Sequence, residues 1–325
     1  MFVHLGPTKV PHLWKNIAAT KRKFPTTPIT LIYSDKVHAR QVRRLNIDGY
    51  FYEAQSADEL VLSAQALGSE FRGGFWRYSL ERLIALDVWH RVSDPKNSFI
   101  HIESDILLFR NFPVGNFEKI NKLAWIKFNE THDVSAILYS PDSESTSWMG
   151  DQIRKELTID NRLTDMTVLS RIQKLFTNKV EYLPTVSKHN SIYFEGFFDG
   201  ASIGMWLNGR DPRNNYGIVK RHLPMDESLD KAEFLRFRLD QQGLNVTNVF
   251  GEFPLYNLHV HSKNRMLLSI AYFIPLKVDL LRAKYKFFST TFSPLALFSI
   301  LVDIKKRHKG SLLKLFVETF KRKFN

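Results

Sequence analysis

Short apolar runs alternate with helix-spaced apolar positions along the first part of the chain. Phe2-Val3-His4-Leu5-Gly6 reads as a strand closing on a glycine turn. From His12 to Phe24, the apolar residues Leu13, Trp14 and Ile17 fall on one helical face. Pro28 to Tyr33 is a second strand ending at Ser34-Asp35, Val37 to Leu45 a basic helix, and Tyr50 to Tyr52 a third strand. Ser56-Ala57-Asp58-Glu59 has the form of a capping box and predicts a helix to about Leu67. A long helix over Phe75 to Arg91 precedes a strand over Phe99 to Ile102. Leu123 to Phe128 and Val134 to Tyr139 are further strands, and Ser147 to Leu157 and Asp165 to Phe176 further helices. This order predicts an α/β fold with a mostly parallel central sheet flanked by helices, because parallel neighbours need a crossover. Ligands of such sheets lie beyond the carboxyl ends of the strands. His4, Gly6 and Asp35 are therefore candidates for touching a nucleotide; Asp35 is equally placed to cap the helix that follows.

The chemistry concentrates where the Phe99–Ile102 strand ends. Buried strands seldom carry carboxylates, because an unpaired buried charge is costly. Glu103 and Asp105, two apart at such an end, need a partner. A hard divalent cation is one, since Mg²⁺ and Mn²⁺ take one or two carboxylates and fill the rest of their shell with water and phosphate. A solvated pair of loop carboxylates is the plainer alternative.

An apolar strand ending in acidic-x-Asp, followed by the apolar run Ile106-Leu107-Leu108-Phe109, resembles the DxD element of GT-A glycosyltransferases. Glu103 stands where the family has its first Asp, so Asp105 carries the match. The resemblance implies a Mn²⁺ or Mg²⁺ ion bridging the diphosphate of a nucleotide sugar, with Ser104 beside the donor. In such enzymes the preceding helix commonly carries a basic residue facing that diphosphate; Arg82 matches the place best and Arg77 second. A planar guanidinium suits phosphate oxygens, although Arg82 can equally pair with nearby Glu81 or Asp87. Many of these enzymes also bring a late His back to the metal, with a basic residue close behind. In P-L-Y-N-L-H-V-H-S-K, His261 and Lys263 match that pattern and His259 is the alternate. Both histidines alternate with apolar residues and so share one face of an extended segment. Asp165, Leu169 and Leu183-Pro184 are similar to a D-x-x-x-L … L-P passage downstream of DxD; a helix N-cap at Thr164 or Asp165 accounts for the same residues.

The passage from Tyr193 to Tyr216 is rich in glycine and aromatics around Glu195 and Asp199. Aromatic faces with polar neighbours suit a sugar ring, and a carboxylate there can deprotonate an acceptor hydroxyl. Asp199 ranks ahead of Glu195 as the catalytic candidate. A structural turn with Phe194, Phe197 and Phe198 in the core is the alternative.

Composition changes the picture in three ways. The 325 residues contain no cysteine, which excludes disulfides and thiolate metal sites. No uninterrupted apolar run reaches the length of a membrane span, and no secretory leader is legible at the N-terminus. The net charge of +13 is uneven. From Met266 onward there are twelve basic and three acidic residues, a net +9, which leaves +4 for residues 1–265. That split predicts a catalytic domain over 1–265 and a basic amphipathic helical tail over 266–325, with Lys305-Lys306-Arg307-His308-Lys309 at its centre. Such tails bind anionic membrane surfaces; no nucleic-acid-binding motif is present.

The expectation is a metal-dependent glycosyltransferase, peripheral on the cytoplasmic face of a membrane. It would use a UDP-sugar and a glycan or lipid-linked acceptor in surface polysaccharide or glycoconjugate synthesis. A nucleotidyltransferase of similar fold shares the sheet and the metal. A non-enzymatic protein binding membranes or nucleic acid needs only the tail.

Overall fold

Local sequence rules set the first elements. Pro11 opens helix α1 (Pro11–Lys23), where its missing N–H costs nothing, and Lys21, Arg22 and Lys23 close it against the negative end of the dipole. Strand β1 (Phe2–His4) precedes it and β2 (Thr30–Tyr33) follows. A 3₁₀ turn over Lys36–His38 leads into α2 (Ala39–Leu45), which ends on Asn46 in the left-handed region. Strand β3 (Asp48–Phe51) follows, then α3 (Phe75–Val92), β4 (Phe99–Ile102), β5 (Ile106–Leu108), β6 (Leu123–Lys127) and β7 (Asp133–Ser140). Helix α4 (Ser143–Ile159) starts where the Asp142 side chain accepts the Ser145 N–H. Helix α5 (Asp165–Leu175) starts in a capping box formed by Thr164 and Thr167, and β8 (Val180–Tyr182) follows. The last strands are β9 (Arg236–Leu239), β10 (Leu244–Asn248), β11 (Gly251–Leu255), β12 (Asn257–His259) and β13 (Val278–Leu280).

This computed structural model describes residues 1–6, 10–53, 74–93, 96–186, 191–204, 236–239, 243–248, 251–260 and 278–280. The helix expected from Ser56, the candidates His261 and Lys263, and the tail apart from β13 lie outside the described residues. β13 pairs antiparallel with β9. Among the described residues no helix is long and apolar enough to cross a membrane.

Strands β1, β2 and β3 pair in parallel, and β4-β7-β6-β8 form a second sheet. Met1 joins the two: its nitrogen donates to Ile100 O (3.0 Å) and its carbonyl accepts from Ile102 N (2.9 Å). This is the bonding pattern of parallel neighbours. The order is therefore β3-β2-β1-β4-β7-β6-β8, and only β7 runs against the rest. The mostly parallel α/β sheet expected from the strand–helix alternation is thus present. The chain winds outward from β1 to β3, then returns to the other side of β1 as β4. That reversal is a topological switch point, where the carboxyl ends of neighbouring strands leave a crevice.

Two cores cover the two faces. On one, Leu80, Leu83 and Ile84 of α3 pack with Met149 and Ile153 of α4 and Leu169 of α5. On the other, Leu13 and Ile17 of α1 pack with Phe112, Phe117, Phe194, Phe198 and Tyr256. Each fully buried side chain of this size contributes about 1.5–3 kcal/mol. The outcome is a rigid platform with α1 and α3 on opposite faces of the β1–β4 seam.

Candidate active site and cation centre

Glu103, Ser104 and Asp105 form the turn that leaves β4 at the switch point. The turn is held from several sides. Glu103 N donates to Ala136 O on β7, and Ile106 N donates back to Glu103 O (both 3.1 Å). Asn16, buried on α1, gives its side-chain amide to Ser104 O (3.1 Å) and Ile106 O (2.6 Å).

His259 reaches this turn through a strand pair. β12 runs antiparallel to β5 with His259 opposite Ile106, and Val260 N donates to Asp105 O (2.9 Å). The imidazole is 7% exposed. Its Nδ1–H donates to Gly200 O, which turns Nε2 toward the carboxylates. Nε2 lies 3.4 Å from Asp105 Oδ2 and 3.7 Å from Glu103 Oε2. One donor atom from each of Glu103, Asp105 and His259 falls within 4.8 Å of the others. Burial works against a charged imidazole, but the charge and hydrogen bond of Asp105 and the charge of Glu103 outweigh it and raise His259 to about 9. Two carboxylates and an imidazole this close suit a bound cation. The donors are oxygen and nitrogen, with no sulfur, a set suited to a hard or borderline divalent cation.

No family model and no curated protein matches this chain. Among solved structures it is similar to a PaToxG glycosyltransferase, at 11% identity over 55% of this chain and 69% of that one, with a TM-score of 0.38. It is also similar to the galactosyltransferase LgtC in complex with donor and acceptor sugar analogs. There the identity is 12% over 68% of this chain and 78% of that one, with a TM-score of 0.40.

The other candidates divide by position. Arg82 projects from α3 to the same turn, yet its Nη2 meets Glu103 Oε1 (2.8 Å), Asp165 Oδ2 (3.1 Å) and Ser135 Oγ (2.9 Å). Burial disfavours its charge, but Glu103 and Asp165 more than compensate and raise its pKa. The anticipated Glu81 or Asp87 pairing is not the one it makes. Arg77 instead pairs with Glu81 (3.6 Å) on a partly exposed face, and Asp87 is bound by Arg91 and Arg154. Thr164 is the N-cap of α5, so Asp165 is the first helical residue and its side chain is directed at Arg82. Ser104 Oγ faces His12 Nε2 (3.3 Å).

Asp199 is 2% exposed and acts locally. Its Oδ1 accepts from Ile203 N (3.0 Å), and its Oδ2 accepts from Gly204 N and His259 N (both 2.9 Å). Burial pushes its carboxyl up to about 6 against these N–H groups. Its backbone is clasped by the Asn257 amide, whose Oδ1 accepts Asp199 N and whose Nδ2 donates to Asp199 O. Asp199 therefore fixes the backbone of His259, and both its oxygens are occupied. Glu195 is exposed, beside Tyr256, whose hydroxyl accepts the Gly196 N–H (2.9 Å).

His4 packs edge-on against His38 (4.9 Å between centroids) at the carboxyl end of β1, with Trp14 and Tyr33 around the same ring. Gly6 has a positive φ of 86°, and a Cβ there would meet the Tyr78 ring at 2.7 Å, so this turn admits glycine alone. Asp35 accepts the Val37 N–H (3.0 Å), the capping role anticipated as its alternative. Sequence reading missed Asn16, Ser135 and Asn257. None carries a motif; each matters through a contact made from a distant element.

Proposed function

We propose that this chain is a metal-dependent glycosyltransferase of the GT-A type. It moves a sugar from a nucleotide-sugar donor, a UDP-sugar, to a glycan or lipid-linked acceptor. The observation that carries the reading is the convergence of Glu103, Asp105 and His259 at the switch point of a mostly parallel sheet. These residues would hold a Mn²⁺ or Mg²⁺ ion, which supplies positive charge against a departing diphosphate when bound. Gly200 O accepts from His259 Nδ1–H and so aims Nε2 at Asp105 and Glu103, and Asn16 keeps the Ser104 turn in register. The rings of His4, His38, Trp14 and Tyr33 offer a wall for a nucleobase beyond β1 and β2. Lys263 follows four residues after His259 and is proposed on the phosphates. Glu195, exposed where Asp199 is closed in, is the carboxylate of that pair open to an acceptor hydroxyl.

The test is product analysis on the full chain with a panel of nucleotide sugars. Release of nucleoside diphosphate that needs Mn²⁺ or Mg²⁺ and disappears in Asp105→Asn supports the reading. Pyrophosphate release from a nucleoside triphosphate and a sugar phosphate points to a nucleotidyltransferase, and turnover without any divalent cation removes the cation from the account.

The basic segment is proposed to hold the enzyme at the anionic cytoplasmic face of a membrane. Eleven basic and two acidic residues follow Leu280. Each base near such a surface contributes about 1 kcal/mol. The Debye length falls from about 10 Å at 0.1 M salt to about 3 Å at 1 M. Sedimentation with phosphatidylserine vesicles should therefore fall steeply with salt. It should also fall when Lys305, Lys306, Arg307 and Lys309 are all changed to Gln. Unchanged sedimentation of that variant would remove this role.

A further inference from the structure

Arg82 carries a guanidinium at the candidate site, yet its geometry is not that of a phosphate ligand. Its side chain is 13% exposed, and Nη2 is directed at Glu103 Oε1, Asp165 Oδ2 and Ser135 Oγ. Its Nε is buried and makes no hydrogen bond. The contacts come from three elements besides its own helix α3: the end of β4, strand β7 and the first turn of α5. Ser135 closes the arrangement by donating from its hydroxyl to Glu103 Oε1 (3.4 Å). Glu103 is thus gripped by one oxygen, and its other oxygen, Oε2, is the one that faces His259 Nε2.

We infer that Arg82 is a positioning residue for Glu103, braced by Asp165 and Ser135, and that it acts on a bound cation only through that carboxylate. The inference rests on the reading of Glu103, Asp105 and His259 as a cation site. Charge supports it. Before His259 is counted, Glu103, Asp105 and Asp165 set against Arg82 leave an excess of two negative charges, the complement of one divalent cation. Without Arg82, Glu103 and Asp165 would face each other unpaired in a buried place, and Glu103 would turn away from Asp105. Groups that orient metal ligands in this way set metal affinity by about 10- to 100-fold when removed.

A simple charge argument predicts the opposite, since removing a nearby cation should tighten metal binding. That difference makes the test sharp. Mn²⁺ binding to the full chain is measured without nucleotide, by the electron paramagnetic resonance of free Mn²⁺. UDP binding is measured separately in EDTA. The expected result is that Arg82→Gln weakens Mn²⁺ binding about 10- to 100-fold, Arg82→Lys falls between it and the wild type, and neither changes UDP binding in EDTA. Ser135→Ala, a milder change that keeps the ion pairs, should weaken Mn²⁺ binding in the same direction, and it carries the test if Arg82→Gln does not fold. Mn²⁺ binding that is unchanged or tighter in these variants overturns the assignment. So does a loss of UDP binding in EDTA, which would make Arg82 a phosphate ligand. A wild-type chain that binds no Mn²⁺ overturns the cation reading itself, and this assignment with it.

Discussion

His259 Nε2 stands 3.4 Å from Asp105 Oδ2, although the two residues are far apart in the chain. The β5–β12 register makes that distance. Pairing His259 with Ile106 and bonding Val260 N to Asp105 O leaves the imidazole no other place. A one-residue slip would turn the side chain to the opposite face.

His259→Ala should weaken Mn²⁺ binding at least as much as the loss of an orienting group does, about 10- to 100-fold. His261 lies outside the described residues, and the sequence pattern alone ranks it first. Titrating Mn²⁺ against both alanine variants decides between them: the larger loss is expected in His259→Ala, and a larger loss in His261→Ala would reassign the ligand.

Asp199→Ala should destabilise the fold. It leaves the N–H groups of Ile203, Gly204 and His259 without their acceptor in a buried place. Such groups cost about 1–3 kcal/mol each and are not additive, so a loss of about 3 kcal/mol is expected in urea unfolding. Asp199→Asn, which keeps one acceptor oxygen, should lose less. A normal unfolding midpoint with lost turnover in Asp199→Ala would instead mark it as a catalytic base.

Gly204→Ala should disturb the cation site through the backbone of His259. A Cβ at residue 204 would lie 1.7 Å from His259 O, so β12 must move to admit it. Overpacking of this kind costs about 1–3 kcal/mol. A lower melting temperature together with weaker Mn²⁺ binding is the expected pair of results; a variant with wild-type values for both would show that β12 is not held there.

Asp133 gives a pH dependence that is independent of the site. It is fully buried, accepting from Trp125 Nε1–H (2.9 Å) and Tyr182 OH (3.1 Å). Burial pushes its carboxyl up to about 6, against those hydrogen bonds; in the unfolded chain it titrates near 3.9. Between about pH 4 and pH 6 the native state holds a proton that the unfolded state has lost, so this contribution to stability falls as pH rises through that window. The size is about 3 kcal/mol at most, at about 1.4 kcal/mol per pH unit. Asp133→Asn should remove it. Urea midpoints at pH 4.5 and 7.5 should show the variant gaining on the wild type at the higher pH, and a constant gap would contradict the assignment.

Much of the sheet is legible in the sequence. The runs at Phe2, Thr30, Phe99, Leu123 and Val134 are β-formers bounded by turn residues, and helix-spaced leucines and isoleucines lie between them. Glu103 and Asp105 stand out because carboxylates at the end of a buried strand need a partner. What the sequence does not reveal is pairing across distance. β5 is too short to read, and its partner β12 lies far along the chain, so the choice between His259 and His261 turns on a register that no local pattern contains. The contacts of Asp199 are hidden from the sequence for a related reason. A carboxylate among glycines and aromatics looks open to a ligand, and only the backbone path of Ile203, Gly204 and His259 shows that both its oxygens are taken. The partners of Arg82 are equally hidden, because Asp165 and Ser135 come from elements that sequence spacing does not bring together.

The most direct test of the central claim is a crystal structure of the chain soaked with UDP and Mn²⁺, with the metal located by its anomalous signal. The account predicts a single Mn²⁺ peak bonded to Asp105, His259 Nε2 and one oxygen of Glu103 at about 2.0–2.3 Å, with the UDP diphosphate completing its shell and Arg82 still on Glu103. A metal bound elsewhere, or a diphosphate seated on Arg82 with the Glu103–Asp105–His259 group empty, would contradict it.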